Sequence, residues 1–299
     1  MNILITGATG FVGQALCPAL KAQGHSLYVL SRTPASVVER IGVEVEAHSD
    51  AMAFRDTPLD AIINLAGASI AGGPWTASRK QTLVDSRVSV TESLEALCKA
   101  RDTLPQVLIS GSAMGYYGNQ GDTVVTEQTP PHQEFAHELC ARWEAAAQRI
   151  EALGVRTAII RIGLVLDRDG GSLKPMLPVY RCGLGATLGS GTQYMPWIHR
   201  TDLVRIIMHL LNDGALSGPV NSSAPHPVTN REFTKTLARV LHRPAPWRIP
   251  AFVLKTAMGE MSRLLLTGAR MTPARLEHTG FAFEYPTLEK ALQAIVNRA

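Results

Sequence analysis

The stretch ILITGATGFVGQAL, residues 3–16, runs from an apolar strand pattern through Gly7, Gly10 and Gly13 into a helical pattern. In such a turn one glycine permits the tight bend, one lets the backbone approach a pyrophosphate, and one lets the helix pack closely on the strand. The start of the helix adds N–H donors and a partial positive charge. Because this turn joins a strand to a helix, it favours dinucleotide binding over a plain tight turn.

Strand and helix patterns alternate through the rest of the first half. Strands are predicted at residues 3–6, 26–31, 43–47, 61–65, 107–110 and 155–161, and helices at residues 11–23, 81–100 and 138–153. Strands that alternate with helices of this length imply right-handed crossovers and a parallel sheet. The fold class predicted is therefore α/β, a Rossmann-type doubly wound parallel sheet.

The second half is less regular. Residues 168–198 contain six glycines and three prolines. A helix is predicted at about 203–211, another begins after Asn230, which is a candidate N-cap, and two more lie in the C-terminal tail. We expect a smaller mixed C-terminal portion that binds substrate. The predicted division is a cofactor domain at residues 1–166, to which the chain returns at about 199–221, and a substrate-binding portion at 167–299.

Composition narrows the classes of partner. Of 299 residues, 45% are hydrophobic, which is enough for a sizeable core, and the net charge of +4 is not gathered into a Lys/Arg run with aromatics. We therefore expect no nucleic-acid partner. Residues 61–78 carry no charge, but Asn64 and the Gly72–Pro74 segment interrupt them, which indicates a strand and a loop and no membrane span.

Cysteine and histidine usage indicates a cytoplasmic protein without a metal site. The four cysteines are far apart and form no CxxC motif, as is typical of reduced thiols. The nine histidines are dispersed and form no HxxxH motif. The partner predicted is a small-molecule substrate or ligand, and the sequence leaves open whether the chain forms a homodimer.

The end of the second strand predicts which dinucleotide binds. NAD sites place an acidic residue there to bind the ribose hydroxyls. The segment YVLSRTPASVV, residues 28–38, has no acid and places Arg32 in that position. A guanidinium binds a 2′-phosphate through a fork of N–H donors, whereas an acid would repel it. NADP(H) is therefore the predicted cofactor, and the alternative for Arg32 is an ordinary solvated surface arginine.

Several motifs resemble those of the extended short-chain dehydrogenase/reductases, the NAD(P)-dependent epimerase/dehydratase family. They are TGATGFVG at 6–13, NLAG at 64–67, GYYG at 115–118 and PWIHRTDLV at 196–204. The chain is most similar to the epimerase-like subgroup of the YfcH type, through SGSAMGYYG at 110–118, LCARWEAA at 139–146, GSGTQYMPWIH at 189–199 and GFAFEYPTLEKAL at 280–292. The resemblance covers essentially the whole chain.

The resemblance implies a set of cofactor-binding residues. They are Gly7, Thr9, Gly10, Phe11 and Val12 at the turn, Arg32 after the second strand, Leu65, Ala66 and Gly67 after the fourth strand, and Arg87. Arg87 occupies the place of a family asparagine. It either approaches the cofactor or an anionic substrate, or forms a salt bridge with an ordinary carboxylate.

The resemblance breaks at the catalytic residues. The family uses a tyrosine whose pKa is lowered by a lysine four residues later, and a serine that binds the substrate oxygen. Here Ala136 and Cys140 occupy the tyrosine and lysine positions, and Ala113 occupies that of the serine, with Ser112 beside it. No tyrosine in the chain has a lysine four residues later. Cys140 either carries chemistry with the help of His137 or packs in the helix interface.

The replacement catalytic residues predicted are Ser112 and Tyr116, at the end of the fifth strand. Tyr116 can donate a hydrogen bond to a substrate oxygen or pack in the cleft wall. The predicted substrate-side residues are Trp75, Tyr116, Arg161, Tyr194, Trp197 and His199. The aromatic residues either line a substrate pocket or belong to the core. Arg161 either faces the cleft or pairs with an acidic residue. His199 either titrates near neutral pH or has a structural role beside a helix N-cap at Asp202.

Two functions remain open. The first is an NADP-dependent, epimerase-like oxidoreductase that acts on a small molecule without the usual Ser/Tyr/Lys set. The second is a protein that binds NADP(H) and reports redox state to a partner without turnover. The retained cofactor turn is common to both, and turnover separates them.

Overall fold

The computed structural model describes residues 1–297. The strands are β1 (Asn2–Thr6), β2 (Ser26–Leu30), β3 (Glu46–His48), β4 (Ala61–Asn64), β5 (Val107–Ala113), β6 (Val124–Val125), β7 (Arg156–Ile162), β8 (Leu164–Leu166), β9 (Ala186–Leu188), β10 (Tyr194–Met195), β11 (Trp197–His199), β12 (Gly218–Ser222), β13 (Val228–Thr229), β14 (Trp247–Ile249) and β15 (Arg270–Met271). The helices are α1 (Gly13–Ala22), α2 (Val37–Ile41), α3 (Ala77–Lys99), α4 (Phe135–Glu151), α5 (Met176–Arg181), α6 (Arg200–Asn212), α7 (Asn230–Val240), α8 (Ala251–Met258), α9 (Arg263–Leu266), α10 (Ala274–His278) and α11 (Leu288–Val296). Four short 3₁₀ helices lie at Pro34–Ser36, Ala51–Phe54, Met114–Tyr117 and Gly259–Ser262.

The central sheet has seven strands in the order β12-β7-β5-β4-β1-β2-β3, and every neighbouring pair is parallel. Successive residues of a strand point to opposite faces, so each strand contributes to two cores. Ile3 and Ile5 pack with residues of α1, α2 and α6, while Leu4 packs with residues of α3 and α4 on the other face. The Rossmann-type doubly wound sheet predicted from the alternation is confirmed.

Most predicted elements are present with shifted ends, and two local predictions are wrong. The third strand was expected at 43–47 and lies at Glu46–His48, because its pairing with β2 begins at Tyr28 and Glu46. The N-cap of α7 is Thr229 and not Asn230. Thr229 forms a capping box with Glu232, whereas Asn230 is buried and accepts a hydrogen bond from the Leu188 amide at 2.8 Å.

The second half builds a smaller layer around its own core. Trp197 and Phe233 are fully buried there, together with residues of α5, α7 and α11. The chain also returns to the large sheet, since β12 pairs with β7 from Gly218 to Ser222. The two tail helices expected from the sequence are α10 and α11. Within residues 1–297, no helix combines the length and apolar character needed to cross a membrane.

The strand order positions a crevice at one edge of the sheet. Because β1 lies between β2 and β4, the chain leaves β1 for one side and later returns to the other. Ligands of open parallel sheets bind at such a switch point, beyond the carboxyl ends of the strands. The segments after β1, β4 and β5 meet at this edge, and they contain most of the residues predicted to bind the cofactor.

Candidate functional site

The three glycines of the first turn have three different surroundings. Gly7 has a φ of +73°, and a Cβ there would lie 2.7 Å from the carbonyl carbon of Leu65. A Cβ on Gly13 would lie 2.4 Å from the carbonyl oxygens of Gly7 and Ala8. Gly10 is exposed, and its Cβ would meet only the Gly7 carbonyl oxygen, at 3.1 Å. The turn therefore has a bend at Gly7, close helix packing at Gly13 and an open backbone at Gly10.

The start of α1 is suited to an anion. Its N-cap residue is Val12, which has no side chain that can accept a hydrogen bond, and the first turn contains no acidic residue. The first N–H groups of a helix carry a partial positive charge. In α1 the amides of Gln14 and Ala15 already donate to the carbonyls of Gly10 and Val12, at 2.9 and 3.1 Å, and within residues 1–297 only the amides of residues 11–13 in this stretch have no such acceptor. A pyrophosphate at this position would take the role of the missing cap.

The segment after β4 is fastened to the glycine turn by buried polar groups. The Thr6 hydroxyl donates to Oδ1 of Asn64 at 2.7 Å and accepts from the Ala66 amide at 3.1 Å. Asn64 Nδ2 donates to the hydroxyl of Thr91 on α3 at 2.8 Å. These bonds fix Leu65, Ala66 and the following glycine beside the turn, as the cofactor prediction requires.

Arg87 lies against the same segment without an acidic partner. Its Nη1 donates to the carbonyl of Leu83 at 2.9 Å and its Nη2 to the carbonyl of Ala68 at 3.0 Å. A Cβ on Gly67 would lie 2.9 Å from the Arg87 Cζ, so any larger residue there would make the guanidinium shift. Trp143 is on the other side, 5.3 Å from Cζ to the ring centroid.

The surroundings of Arg87 distinguish the two roles predicted for it, contact with the cofactor or an anionic substrate and an ordinary salt bridge. No carboxylate of residues 1–297 forms an ion pair with it, so the ordinary salt bridge is wrong. Burial lowers the pKa of Arg87, and the charge of Arg79 lowers it further against an opposing effect of Cys140. A partly buried cation held by neutral groups, with no carboxylate of residues 1–297 beside it, is suited to an anionic or oxygen-rich ligand.

Two arginines lie on the far side of the turn. Arg32 follows β2 and is exposed, as its predicted role requires. Arg40 of α2 is also exposed, and its Nη2 donates to the carbonyl of Thr9 at 3.2 Å. Sequence reasoning missed Arg40 because this contact joins residues 31 positions apart and no local pattern marks it.

Ser112 belongs to a buried charged group. Its hydroxyl donates to Oε1 of Glu144 at 2.6 Å. Arg161 donates to the same carboxylate twice, from Nε at 2.9 Å and from Nη2 at 2.8 Å. All three side chains are buried, and the two charges form the bidentate pair that a planar guanidinium favours. Glu144 belongs to the motif LCARWEAA, in which nothing marks it as the partner of Ser112 and Arg161.

Arg161 contacts protein groups on every side, and its pairing with Glu144 is the alternative predicted for it, the partner of an acid. Its Nη1 donates to the Tyr117 hydroxyl at 3.0 Å and the Glu127 carbonyl at 3.2 Å, and the Tyr116 ring lies 3.4 Å from Cζ. Burial lowers the pKa of Arg161, but the hydrogen bonds and charge of Glu144 outweigh burial and raise it above its usual value.

The two adjacent tyrosines differ in what they can do. Tyr117 is fully buried and its hydroxyl donates to Oδ1 of Asn221 at 2.6 Å. Burial raises the pKa of Tyr117 to about 12, so it is no base near neutral pH. Tyr116 is half-buried between Arg161 and His137. Its hydroxyl makes no hydrogen bond with any residue of the described range 1–297, which leaves Tyr116 as the candidate donor.

Cys140 is a packing residue and not a nucleophile. It is buried, and burial, reinforced by the charge of Glu144, raises the pKa of its thiol to about 11. His137, proposed as its activator, hydrogen-bonds through Nδ1 to the carbonyl of Tyr116 at 2.7 Å. A thiol needs a depressed pKa to act as a nucleophile at neutral pH, so burial and the raised pKa favour the packing alternative for Cys140.

Two of the predicted substrate residues have structural roles, one in the core and one at a helix start. Trp197 is fully buried, so it takes the core alternative, and its Nε1 donates to the carbonyl of His226 at 3.2 Å. His199 is itself the N-cap of α6: its Nδ1 accepts from the Thr201 amide at 3.1 Å. The cap expected at Asp202 is therefore wrong. Asp202 instead accepts from the amides of residues 284 and 285.

Trp75 and Tyr194 are half-buried, which leaves their predicted role open. Trp75 Nε1 donates to the carbonyl of Ile70 at 3.0 Å, and its ring meets the edge of Phe135 at 5.0 Å between centroids. The Tyr194 ring lies 5.5 Å from Cζ of Arg270. Both remain predictions as substrate-side residues.

A segment of the second half covers the glycine turn. A Cβ on Gly170 would lie 2.2 Å from the Phe11 ring, so residues 170–171 rest directly on it. Arg200 lies over the same ring, with Cζ 4.8 Å from the centroid, and pairs with Asp167 at 3.0 Å. The Phe11 side chain thus ties the cofactor turn to the C-terminal portion. Among residues 1–297, no cluster of three or more metal-ligating side chains is found.

A glycine turn with an uncapped helix, a small-residue segment fixed beside it, and polar residues after β5 define a dinucleotide-binding α/β protein. Residues 3–221 match the model of the NAD dependent epimerase/dehydratase family, and residues 249–295 match that of a domain of unknown function, DUF1731. The first match spans more than half of the chain, which therefore belongs to the NAD dependent epimerase/dehydratase family.

Individual relatives are similar over nearly the full length. The chain is 40% identical to "Epimerase family protein Mb2239" of Mycobacterium bovis over 292 residues, covering 97% of this chain and 96% of that protein. It is 38% identical to "Epimerase family protein YfhF" of Bacillus subtilis over 299 residues, covering 99% and 98%. The crystal structure of human epimerase family protein SDR39U1 (isoform 2) with NADPH superposes with a TM-score of 0.89 at 31% identity, covering 100% of both chains.

Proposed function

We propose that the protein binds NADP(H) at the glycine turn and uses it in oxidation–reduction of a small molecule. The observation that carries the proposal is the open backbone at Gly10 beside the uncapped start of α1. Donors and partial charge at that place suit a pyrophosphate, and no side chain of the first helical turn competes for it. The NADPH of the human relative supports the choice of cofactor.

The preference for NADP(H) over NAD(H) rests on charge. Residues 26–38 contain no acid, and Arg32 is exposed just beyond β2. A carboxylate at this place would bind ribose hydroxyls and repel a 2′-phosphate, whereas a guanidinium attracts the phosphate.

Bound NADPH would supply a hydride to a carbonyl, bound NADP⁺ would accept one from an alcohol, and the chain supplies the proton path and the orientation of the substrate. When an alcohol is oxidised, Ser112 Oγ accepts the proton of the substrate hydroxyl, and the proton that Ser112 held passes to Oε1 of Glu144. When a carbonyl is reduced, the same protons move in the opposite direction. The 2.6 Å bond from Ser112 to Glu144 supports this route. The free hydroxyl of Tyr116 donates a second hydrogen bond to the substrate oxygen.

The test is a titration followed by a turnover assay. Purified protein is titrated with NADPH and with NADH by tryptophan fluorescence, and NADPH absorbance is then followed against a panel of carbonyl compounds. We expect tighter binding of NADPH, and turnover that Ser112→Ala and Tyr116→Phe lower by at least about tenfold each, the scale of one lost catalytic hydrogen bond. Ser89→Ala, on the exposed face of α3, is the matched control.

A second candidate function is redox sensing without turnover. It is favoured by the family's tyrosine and lysine positions, where Ala136 and the inert Cys140 stand. Tight NADPH binding with no turnover on any compound of the panel would support the sensor. Turnover that depends on Ser112 and Tyr116 would support the enzyme.

A further inference from the structure

Arg40 reaches the cofactor turn from an element that the cofactor motifs do not include. Helix α2 is short, and the buried side chains of Val37 and Ile41 anchor it on the core. Arg40 lies between these anchors in sequence but is exposed, and its guanidinium spans to the carbonyl of Thr9 at 3.2 Å. A charged side chain is thus placed against the backbone that precedes Gly10.

The charge of Arg40 is not neutralised by the protein. No carboxylate of residues 1–297 pairs with Arg40 or with Arg32, and the bond to Thr9 uses only one of several N–H donors. Two guanidinium groups without an acidic partner in residues 1–297 therefore follow each other along the chain, one after β2 and one on α2. An anion bound beside the glycine turn would accept hydrogen bonds from such groups.

We propose that Arg40 is the second guanidinium of a 2′-phosphate site, acting with Arg32 to distinguish NADP(H) from NAD(H). This inference rests on the proposed function. Within residues 1–297 the Arg32 side chain makes no hydrogen bond or ion pair, whereas Arg40 is already held by the carbonyl of Thr9. A donor that is already held in place loses less conformational entropy when a ligand binds. Arg40 therefore contributes a fixed hydrogen-bond direction as well as a positive charge.

A merely structural role for Arg40 makes a different prediction. The carbonyl of Thr9 also accepts a hydrogen bond from Nε2 of Gln14 at 3.1 Å. If Arg40 only steadied the turn, its loss would weaken both dinucleotides alike, and loss of Gln14 would do the same. A phosphate ligand instead changes the ratio of the two affinities, because NADH lacks the 2′-phosphate.

The experiment is isothermal titration of NADPH and NADH into the full chain and three variants. Arg40→Gln is expected to weaken NADPH by about tenfold or more, the effect of one charge-assisted hydrogen bond, and NADH by less than about twofold. Arg40→Lys keeps the charge without the fork and should recover part of the loss. Gln14→Ala is the matched control and should leave the NADPH-to-NADH affinity ratio unchanged.

The proposal is overturned if Arg40→Gln leaves the NADPH-to-NADH affinity ratio unchanged, whether both affinities stay the same or fall by the same factor. Failure of the proposed function looks different, since the wild-type chain would then bind neither dinucleotide. Circular dichroism of each variant confirms folding, and Arg40→Lys provides a conservative variant of the same exposed position.

Discussion

Replacing Arg161 with leucine removes one half of a buried ion pair and leaves the other half in place. Arg161 makes two hydrogen bonds to Glu144, at 2.9 and 2.8 Å, and two more to Tyr117 and the carbonyl of Glu127, at 3.0 and 3.2 Å. Glu144 is 5% exposed in the structure, and without Arg161 its carboxylate would have only the Ser112 hydroxyl as a donor. A buried charge without its partner is strongly destabilising.

The expected loss in the free energy of unfolding is about 3–5 kcal/mol, the range for a buried pair broken on one side. The double variant Arg161→Leu/Glu144→Leu removes both charges and should recover most of that loss, because apolar replacement of a whole pair is often neutral. Arg239→Leu is the matched control: the Arg239–Glu289 pair is exposed, and its loss should cost about 0–1 kcal/mol.

The assay is urea denaturation followed by circular dichroism at neutral pH, with the four proteins measured side by side. A loss for Arg161→Leu no larger than that for Arg239→Leu would refute the reasoning. So would a double variant that is less stable than Arg161→Leu alone, because the two charges would then not be coupled.

Three further outcomes follow from local geometry. Gly13→Ala should lower the free energy of unfolding by about 1–3 kcal/mol in urea denaturation, because its Cβ would lie 2.4 Å from two carbonyl oxygens; an unchanged midpoint would contradict this. At about pH 8, iodoacetamide should modify the exposed Cys182 and spare Cys140, whose pKa burial raises to about 11; peptide mass spectrometry checks this, and early labelling of Cys140 would count against it. Thr229→Ala should cost about 1 kcal/mol in thermal denaturation through loss of the capping box, whereas Thr229→Ser should retain it.

The sheet was predictable because its signals are local. Apolar runs such as residues 61–65 and the spacing of Gly7, Gly10 and Gly13 each depend on neighbours within a few positions. The ends of elements were less predictable, because long-range pairing sets them. The shift of the third strand to begin at Glu46 is an example, since its register is set by Tyr28 of β2.

The orientation of the site residues was less predictable for the same reason. The position of Arg161 near the end of β7 predicts that its side chain lies in the crevice. The side chain is instead held by Glu144 of α4, and nothing in the sequence near either residue indicates this pairing. His199 resembles a titrating site residue, but its ring nitrogen caps α6. Arg40 could not be found at all, because the turn that it contacts lies 31 residues earlier.

Hydrogen–deuterium exchange of the backbone amides, measured with and without NADPH, tests most directly whether the cofactor binds at the glycine turn. The account predicts protection of the peptide that covers residues 9–16, because the amides of residues 11–13, which have no protein acceptor within residues 1–297, would bond the pyrophosphate. Added NADPH that leaves exchange in this peptide unchanged, or that protects only a distant region, would contradict the account.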